Sequence, residues 1–181
     1  MQISYADTTI EVVTGDIARQ DGVDAVVNAA NAQLQVGGGV AGAIHRGAGP
    51  ELARETRPLA PIQPGEAVTT DAYDLPNDHV IHVLGPVYGR DEPSAELLRA
   101  GYENALQEAE EREDASVAFP AISTGAFGFP LEPAARIAMQ TVLDRAPHLS
   151  SVSRVRFVLF YDETRKVHEA VLQDLGGERI E

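Results

Sequence analysis

The 181-residue chain carries 28 Asp and Glu against 14 Lys and Arg, a net charge of −14, and no cysteine. Disulfides, thiolate metal sites and cysteine nucleophiles are therefore excluded, and the charge opposes non-specific binding to a phosphate backbone, which clustered Lys and Arg would have to hold. With 44% hydrophobic residues and a mean hydropathy of −0.15, the length suits one domain over residues 1–181 with a sizeable core.

The N-terminal stretch MQISYADTTIEVV alternates apolar and polar residues. It lacks the basic segment and apolar run of a targeting peptide, and no stretch approaches the ~20 apolar residues of a membrane span. A cytoplasmic protein is expected. Ile10 to Val13 reads as a strand ending at Gly15-Asp16, and Asp24 to Ala29 as a second, more buried one. Ala41 to Gly47 and Pro50 to Arg57 read as helices, with Pro50 suited to a first helical position. Two strands follow, Glu66 to Thr70 and His79 to Leu84. Ser94 to Glu113 is the longest helix, its Leu97, Leu98, Tyr102, Ala105, Leu106 and Ala109 recurring at spacings of three and four. Ser116 to Pro120 is again a strand, Glu132 to Arg145 a helix, Arg154 to Tyr161 a strand and Thr164 to Leu175 a closing helix. This alternation predicts a three-layer α/β/α sandwich around a mixed, largely parallel central sheet.

In such sheets ligands bind outside the carboxyl ends of the strands. Three predicted strand ends carry unusual chemistry: Gly15-Asp16-Ile17, Asn28-Ala29-Ala30-Asn31 with the glycines 37–39, and Ser123-Thr124-Gly125-Ala126-Phe127-Gly128. The two glycine-rich loops hold no basic residue at their centres, so a phosphate there would be met by backbone N–H groups and helix N-termini. Neither matches GxxxxGK[ST] or GxGxxG. Each loop alone is equally compatible with a tight turn. His82 alternates within an apolar strand and reads as a hydrogen-bonded core histidine; His45 lies on a helix. No His pair or carboxylate cluster has metal-ligand spacing, so neither a metal nor a cofactor is expected.

Taken together and in order, GDI (15–17), VVNAAN (26–31), GGGVAGAIHRGAGP (37–50), VIHVLGP (80–86) and FPAISTGAFGFP (119–130) resemble the macrodomain family of ADP-ribose-binding α/β modules, over about Val12 to Tyr161. The resemblance implies that Asp16 accepts a hydrogen bond from the adenine amino group, with the Ile17 N–H facing a ring nitrogen, and that Tyr161 lies against adenine. Asp16 as a helix N-cap and Tyr161 as a strand-end core residue remain open from spacing alone. It further implies that the backbone of Gly38, Gly39, Val40 and Ala41 lies along the distal part of the ligand. Ser123, Thr124, Gly125, Ala126 and Phe127 would cradle the diphosphate, Phe127 flanking the distal ribose. Asn31 is implied to hydrogen-bond the distal ribose hydroxyls and is the candidate catalytic residue; Asn28 reads as a cap for the turn after its strand.

Many hydrolysing members of the family read GGGVDG, with an Asp that places or activates water. This chain reads GGGVAG, and the Ala41 methyl can neither accept a proton nor orient water. Another branch carries GGGVA and is associated with tight ADP-ribose binding, and some of its members still remove ADP-ribose from acidic side chains; a route open to these is activation of the water by a substrate phosphate, with Asn31 and loop backbone positioning it. The resemblance thus implies a monomeric protein whose partners are ADP-ribose and ADP-ribosylated proteins or small molecules. Three activities are compatible with it: a hydrolase of ADP-ribosyl groups, a non-catalytic reader, and a binder of RNA or poly(ADP-ribose), which the charge opposes.

Overall fold

The computed structural model of the protein describes residues 1–180. Seven strands, β1 (Gln2–Tyr5), β2 (Thr8–Thr14), β3 (Ala25–Ala29), β4 (Ala67–Asp71), β5 (His79–Val83), β6 (Ser116–Phe119) and β7 (Arg154–Leu159), form one sheet. Their order is β1-β2-β7-β6-β3-β5-β4. The five inner strands are parallel and the two edge strands antiparallel to their neighbours. Among the described residues there are also five α-helices, α1 (Gly39–Ala48), α2 (Glu51–Thr56), α3 (Ser94–Glu111), α4 (Leu131–Arg145) and α5 (Asp162–Ile180), and two 3-10 helices, Arg57–Leu59 and Ala146–His148.

Side chains alternate across a strand, and that alternation sorts the layers. Val26, Val80, Ala118 and Val158 pack with Ile44, Ala48 and Leu52 of α1 and α2. Their neighbours Val27, Ile81, Val117, Phe119 and Phe157 face the other way, onto Leu98, Tyr102 and Leu106 of α3, Ala138 and Met139 of α4, and Leu172 of α5. Sheet strands buried on both faces read as continuous apolar runs, as VAF does in β6. The expected three-layer sandwich with a largely parallel centre is therefore the observed architecture. Among the described residues no helix is long and apolar enough to cross a membrane.

The differences lie at element ends. β1 was not expected as a strand, because its hairpin turn holds no glycine: Ala6 and Asp7 both adopt positive φ, +47° and +65°, the geometry that Asn-Gly or Gly-Gly usually supplies. α1 begins at Gly39, two residues before the expected Ala41, and Pro50 caps α2 instead of opening it. β7 ends at Leu159, so Phe160 and Tyr161 lie beyond the strand. No helix follows Asp16. Its Oδ1 accepts the Ala18 N–H at 2.9 Å within a turn, which corrects the helix N-cap reading. Asn28 is not a turn cap either: it sits inside β3, buried, its amide 3.1 Å from His82 Nδ1.

Because the five inner strands are parallel, their carboxyl ends share one edge of the molecule. The segments that leave them, from Gly15, Ala30, Leu84, Pro120 and Phe160 onward, gather there.

Candidate functional site

Two adjoining cavities open at that edge. The first, of about 550 Å³, is walled by Asp16 and Ile17 after β2, by Val40, Ala43 and Arg46 of α1, by Thr124 and Gly125 after β6, and by Phe160, Tyr161 and Thr164 after β7. The second, of about 420 Å³, is walled by Ala29 to Asn31 after β3, by Gly37 to Ala41, by Gly85 after β5, and by Ile122, Ser123 and Gly125 to Phe127. Gly39, Val40, Ala121 and Gly125 line both and mark where the cavities meet. Each of the thirteen residues singled out in the sequence lines one cavity or the other.

The junction is built from backbone. α1 begins without a side-chain cap: its N-cap is Gly38, and no side chain bonds its first N–H groups. The first N–H groups of an α-helix have no intrahelical acceptor, so they stay available to an anion. Gly39 has a φ of +55°, a conformation in which a Cβ is strained. Opposite, the loop after β6 folds into successive turns, with Thr124 Oγ1 donating to Ala121 O at 2.9 Å and Gly128 N–H to Gly125 O at 3.0 Å. The N–H groups of Gly125, Ala126 and Phe127 donate to no acceptor among the described residues. Two sets of free N–H groups therefore belong to residues that line the junction, an arrangement that favours phosphate oxygens.

The loop is fixed from behind. Tyr102 of α3 is fully buried; its hydroxyl accepts the Ile122 N–H at 3.2 Å and lies 3.4 Å from Pro120 O. Burial pushes its pKa well up and keeps it protonated. Gly85 permits close approach, since a Cβ there would lie 2.1 Å from Ser123 Oγ. Ser123 itself has a φ of +66°, and its buried hydroxyl has no partner among the described residues.

At the distal end Asn31 is held by its own loop. Its Nδ2 donates to Gln35 O at 2.8 Å and its Oδ1 accepts the Gln35 N–H at 3.1 Å. One N–H and one lone pair remain. Asn31 is thus both turn cap and cavity wall. Ala41 presents only a methyl, and no Asp, Glu or His lines this cavity. Phe127 leans on the small cluster of Ala30, Leu34, Ile62 and Leu84 beneath the loop.

At the other end Asp16 keeps its second carboxylate oxygen 3.8 Å from Arg19. Tyr161 is 68% exposed and meets Phe160, 70% exposed, edge to face at 5.0 Å. The core reading of Tyr161 is therefore replaced by an exposed aromatic pair on the cavity wall. Sequence reasoning missed Phe160, Thr164, Arg46 and Gly85; the aromatic pair FY at a strand end was the signal that could have found Phe160.

The two histidines stand apart from both cavities. His82 Nδ1 accepts from Asn28, which leaves its Nε2–H to face Thr70 Oγ1 at 2.9 Å. Burial lowers its pKa to about 3, the neighbouring His45 adding to the effect. His45 is buried, its pKa also lowered by burial, and its ring nitrogens have no partner among the described residues. A larger groove of about 700 Å³ between α4 and α5 has no comparable convergence; its Arg136 is held by Asp174 at 3.0 Å.

The Macro domain family model matches residues 27–138. An O-acetyl-ADP-ribose deacetylase of Klebsiella pneumoniae is 46% identical over 167 residues, 90% of this chain and 95% of that protein. A macro domain-containing protein of Streptomyces coelicolor is 45% identical over 175 residues, covering 93% and 99%. The Oceanobacillus iheyensis macrodomain with ADP superposes with a TM-score of 0.94 at 35% identity, covering 98% and 97%. The Trypanosoma brucei macrodomain in complex with ADP-ribose does so at 0.84 and 36% identity, covering 90% of this chain and 68% of its own. Fold, strand-end cavities and extended sequence similarity agree: the chain belongs to the macro domain family.

Proposed function

We propose that the protein binds ADP-ribose and hydrolyses ADP-ribosyl compounds: mono-ADP-ribose on modified acidic side chains, or small derivatives such as O-acetyl-ADP-ribose and ADP-ribose 1″-phosphate. The observation that carries this reading is the pair of confluent cavities with free N–H groups at their junction. In this reading adenine lies between Asp16, the Ile17 N–H and Tyr161, the diphosphate at the junction, and the distal ribose against Asn31 and Phe127. The names of the Klebsiella relative and of the ADP and ADP-ribose complexes support it. The expectation of a cytoplasmic monomer acting on ADP-ribosylated proteins or small molecules belongs to the same reading.

The chemistry follows from what the distal cavity contains. Hydrolysis needs a water held at the ester or anomeric carbon and somewhere for its proton to go. Asn31 can hold the sugar or the water with its spare N–H and lone pair. With no carboxylate or imidazole in the cavity wall, the proton passes to an oxygen of the substrate's own diphosphate. Catalysis then rests on positioning, which can supply roughly 7–11 kcal/mol where reacting groups are well aligned. Ala41 supports a second reading, a reader that binds without turnover.

Incubation with O-acetyl-ADP-ribose, or with a protein mono-ADP-ribosylated on glutamate, is expected to release acetate or free ADP-ribose, and Asn31→Ala to abolish release. Release no faster than from that variant leaves the reader. Calorimetric titration with ADP-ribose tests the shared premise, and absence of binding at high micromolar ligand would overturn both.

A further inference from the structure

Arg46 is the one lysine or arginine among the residues lining the two strand-end cavities. It stands on α1 seven residues beyond Gly39, on the face that Gly39, Val40 and Ala43 also turn to the cleft. Side chains on an α-helix lean back toward its N-terminus, and Arg46 does so. Its Nη1 lies 2.9 Å from where a Gly42 Cβ would be, and the Gly37 carbonyl oxygen is 2.6 Å from the same point. The guanidinium therefore reaches back over α1 to the glycine loop, in room that the missing Cβ of Gly42 leaves open.

Its charge is uncommitted. Among the described residues Arg46 makes no ion pair or hydrogen bond, whereas Arg54, Arg99, Arg112, Arg136 and Arg165 on the helices each hold a carboxylate. The chain's net charge is −14, and Asp16 adds a carboxylate to the cleft wall. A dianionic ligand entering such a surface meets an unfavourable field that uncharged N–H groups offset only in part.

We propose that Arg46 is the counter-charge for the diphosphate, so that affinity grows with the number of phosphates on the adenosine ligand. The inference rests on the reading of the cleft as an ADP-ribose site, and deepens it by assigning the electrostatic part of recognition to one side chain. A flexible guanidinium at the rim can meet either phosphate without the fixed geometry of the loops.

Calorimetry on the full chain with ADP-ribose, ADP, AMP and adenosine tests the proposal. Arg46→Gln is expected to weaken ADP-ribose and ADP about five- to twentyfold at low salt, as loss of a charge-assisted contact does, AMP by less and adenosine not at all. Arg46→Lys should restore part of the loss. Raising salt from about 0.1 M to about 1 M shrinks the Debye length from about 10 Å to about 3 Å, and should bring wild type and Arg46→Gln together. Unchanged ADP-ribose affinity in Arg46→Gln overturns the proposal, and so does an equal loss for adenosine, which would place the guanidinium's effect on the nucleobase or the fold. A wild-type chain that binds none of the four ligands overturns the functional reading and this inference with it.

Discussion

Asn31 and Ala41 stand on the same cavity wall and divide the work unequally. Asn31 is oriented by two hydrogen bonds to Gln35, so its remaining polar capacity points where the loop directs it, and little rotamer freedom is lost on binding. Ala41 contributes volume only. An acid or base placed there should therefore add catalysis that the native wall lacks. Ala41→Asp is expected to raise the initial rate of O-acetyl-ADP-ribose hydrolysis at least about tenfold, the lower side of what a positioned acid-base group supplies. An unchanged rate would mean that water is already well placed without it. The residues that bear recognisable chemistry, such as Asp16, Asn31 and the glycines, were legible from the sequence. Arg46 was not, because its importance depends on which face of α1 turns to the cleft and on its making no ion pair among the described residues, and neither fact is local in the chain.

Elements position the site from behind. The loop after β6 owes its start to α3, through the hydrogen bond from the Ile122 N–H to the Tyr102 hydroxyl. Tyr102 also packs on Phe119 with the rings tilted by 51° and 5.2 Å between centroids, which joins the loop's anchor to the strand before it. Tyr102→Phe keeps the ring and orphans a buried N–H. The expected cost is about 1–3 kcal/mol, read as a lower urea midpoint, together with weaker ADP-ribose binding because the phosphate-facing loop loses its hold. A variant with the wild-type midpoint and affinity would show that the turns hold the loop unaided. The helical periodicity of α3 predicted that Tyr102 faces the core. It could not predict the hydrogen bond to Ile122, 20 residues away, since that depends on how α3 crosses β6. β1 was missed for a related reason: two non-glycine residues at positive φ are tolerated only because the β1–β2 pairing holds them there.

Across the whole molecule, buried neutral histidines tie stability to pH. His45, His82 and His168 are all lowered by burial, His82 from 6.5 to about 3. Between those values the unfolded chain binds protons at position 82 that the folded chain refuses. Stability is thus fully present above pH 6.5 and falls as pH drops toward 3. Between those values His82 contributes a slope of up to about 1.4 kcal/mol per pH unit, and His45 and His168 act in the same direction. Urea unfolding at successive pH values should show the midpoint decline below pH 6.5, and His82→Gln should flatten that decline whatever it does to the midpoint at neutral pH. A slope identical in the variant would remove His82 from the account.

Local pattern was sufficient for the class of fold: apolar runs of strand length alternating with helical periodicity leave few ways to bury both, and the parallel sandwich is the one in which both faces of the sheet are covered. The family was legible only through the resemblance of the ordered motifs GDI, VVNAAN, GGGVAGAIHRGAGP, VIHVLGP and FPAISTGAFGFP to known members, since each glycine-rich loop alone fits a tight turn as well. Tertiary structure decided what each loop residue faces. Gln35 holds Asn31 within a single loop, but the exposure of Phe160 and Tyr161, the free N–H groups at the junction and the unpaired charge of Arg46 all arise where segments distant in sequence meet at one edge of the sheet. Contacts of that kind depend on register and helix crossing, which are set by the packing of the whole core.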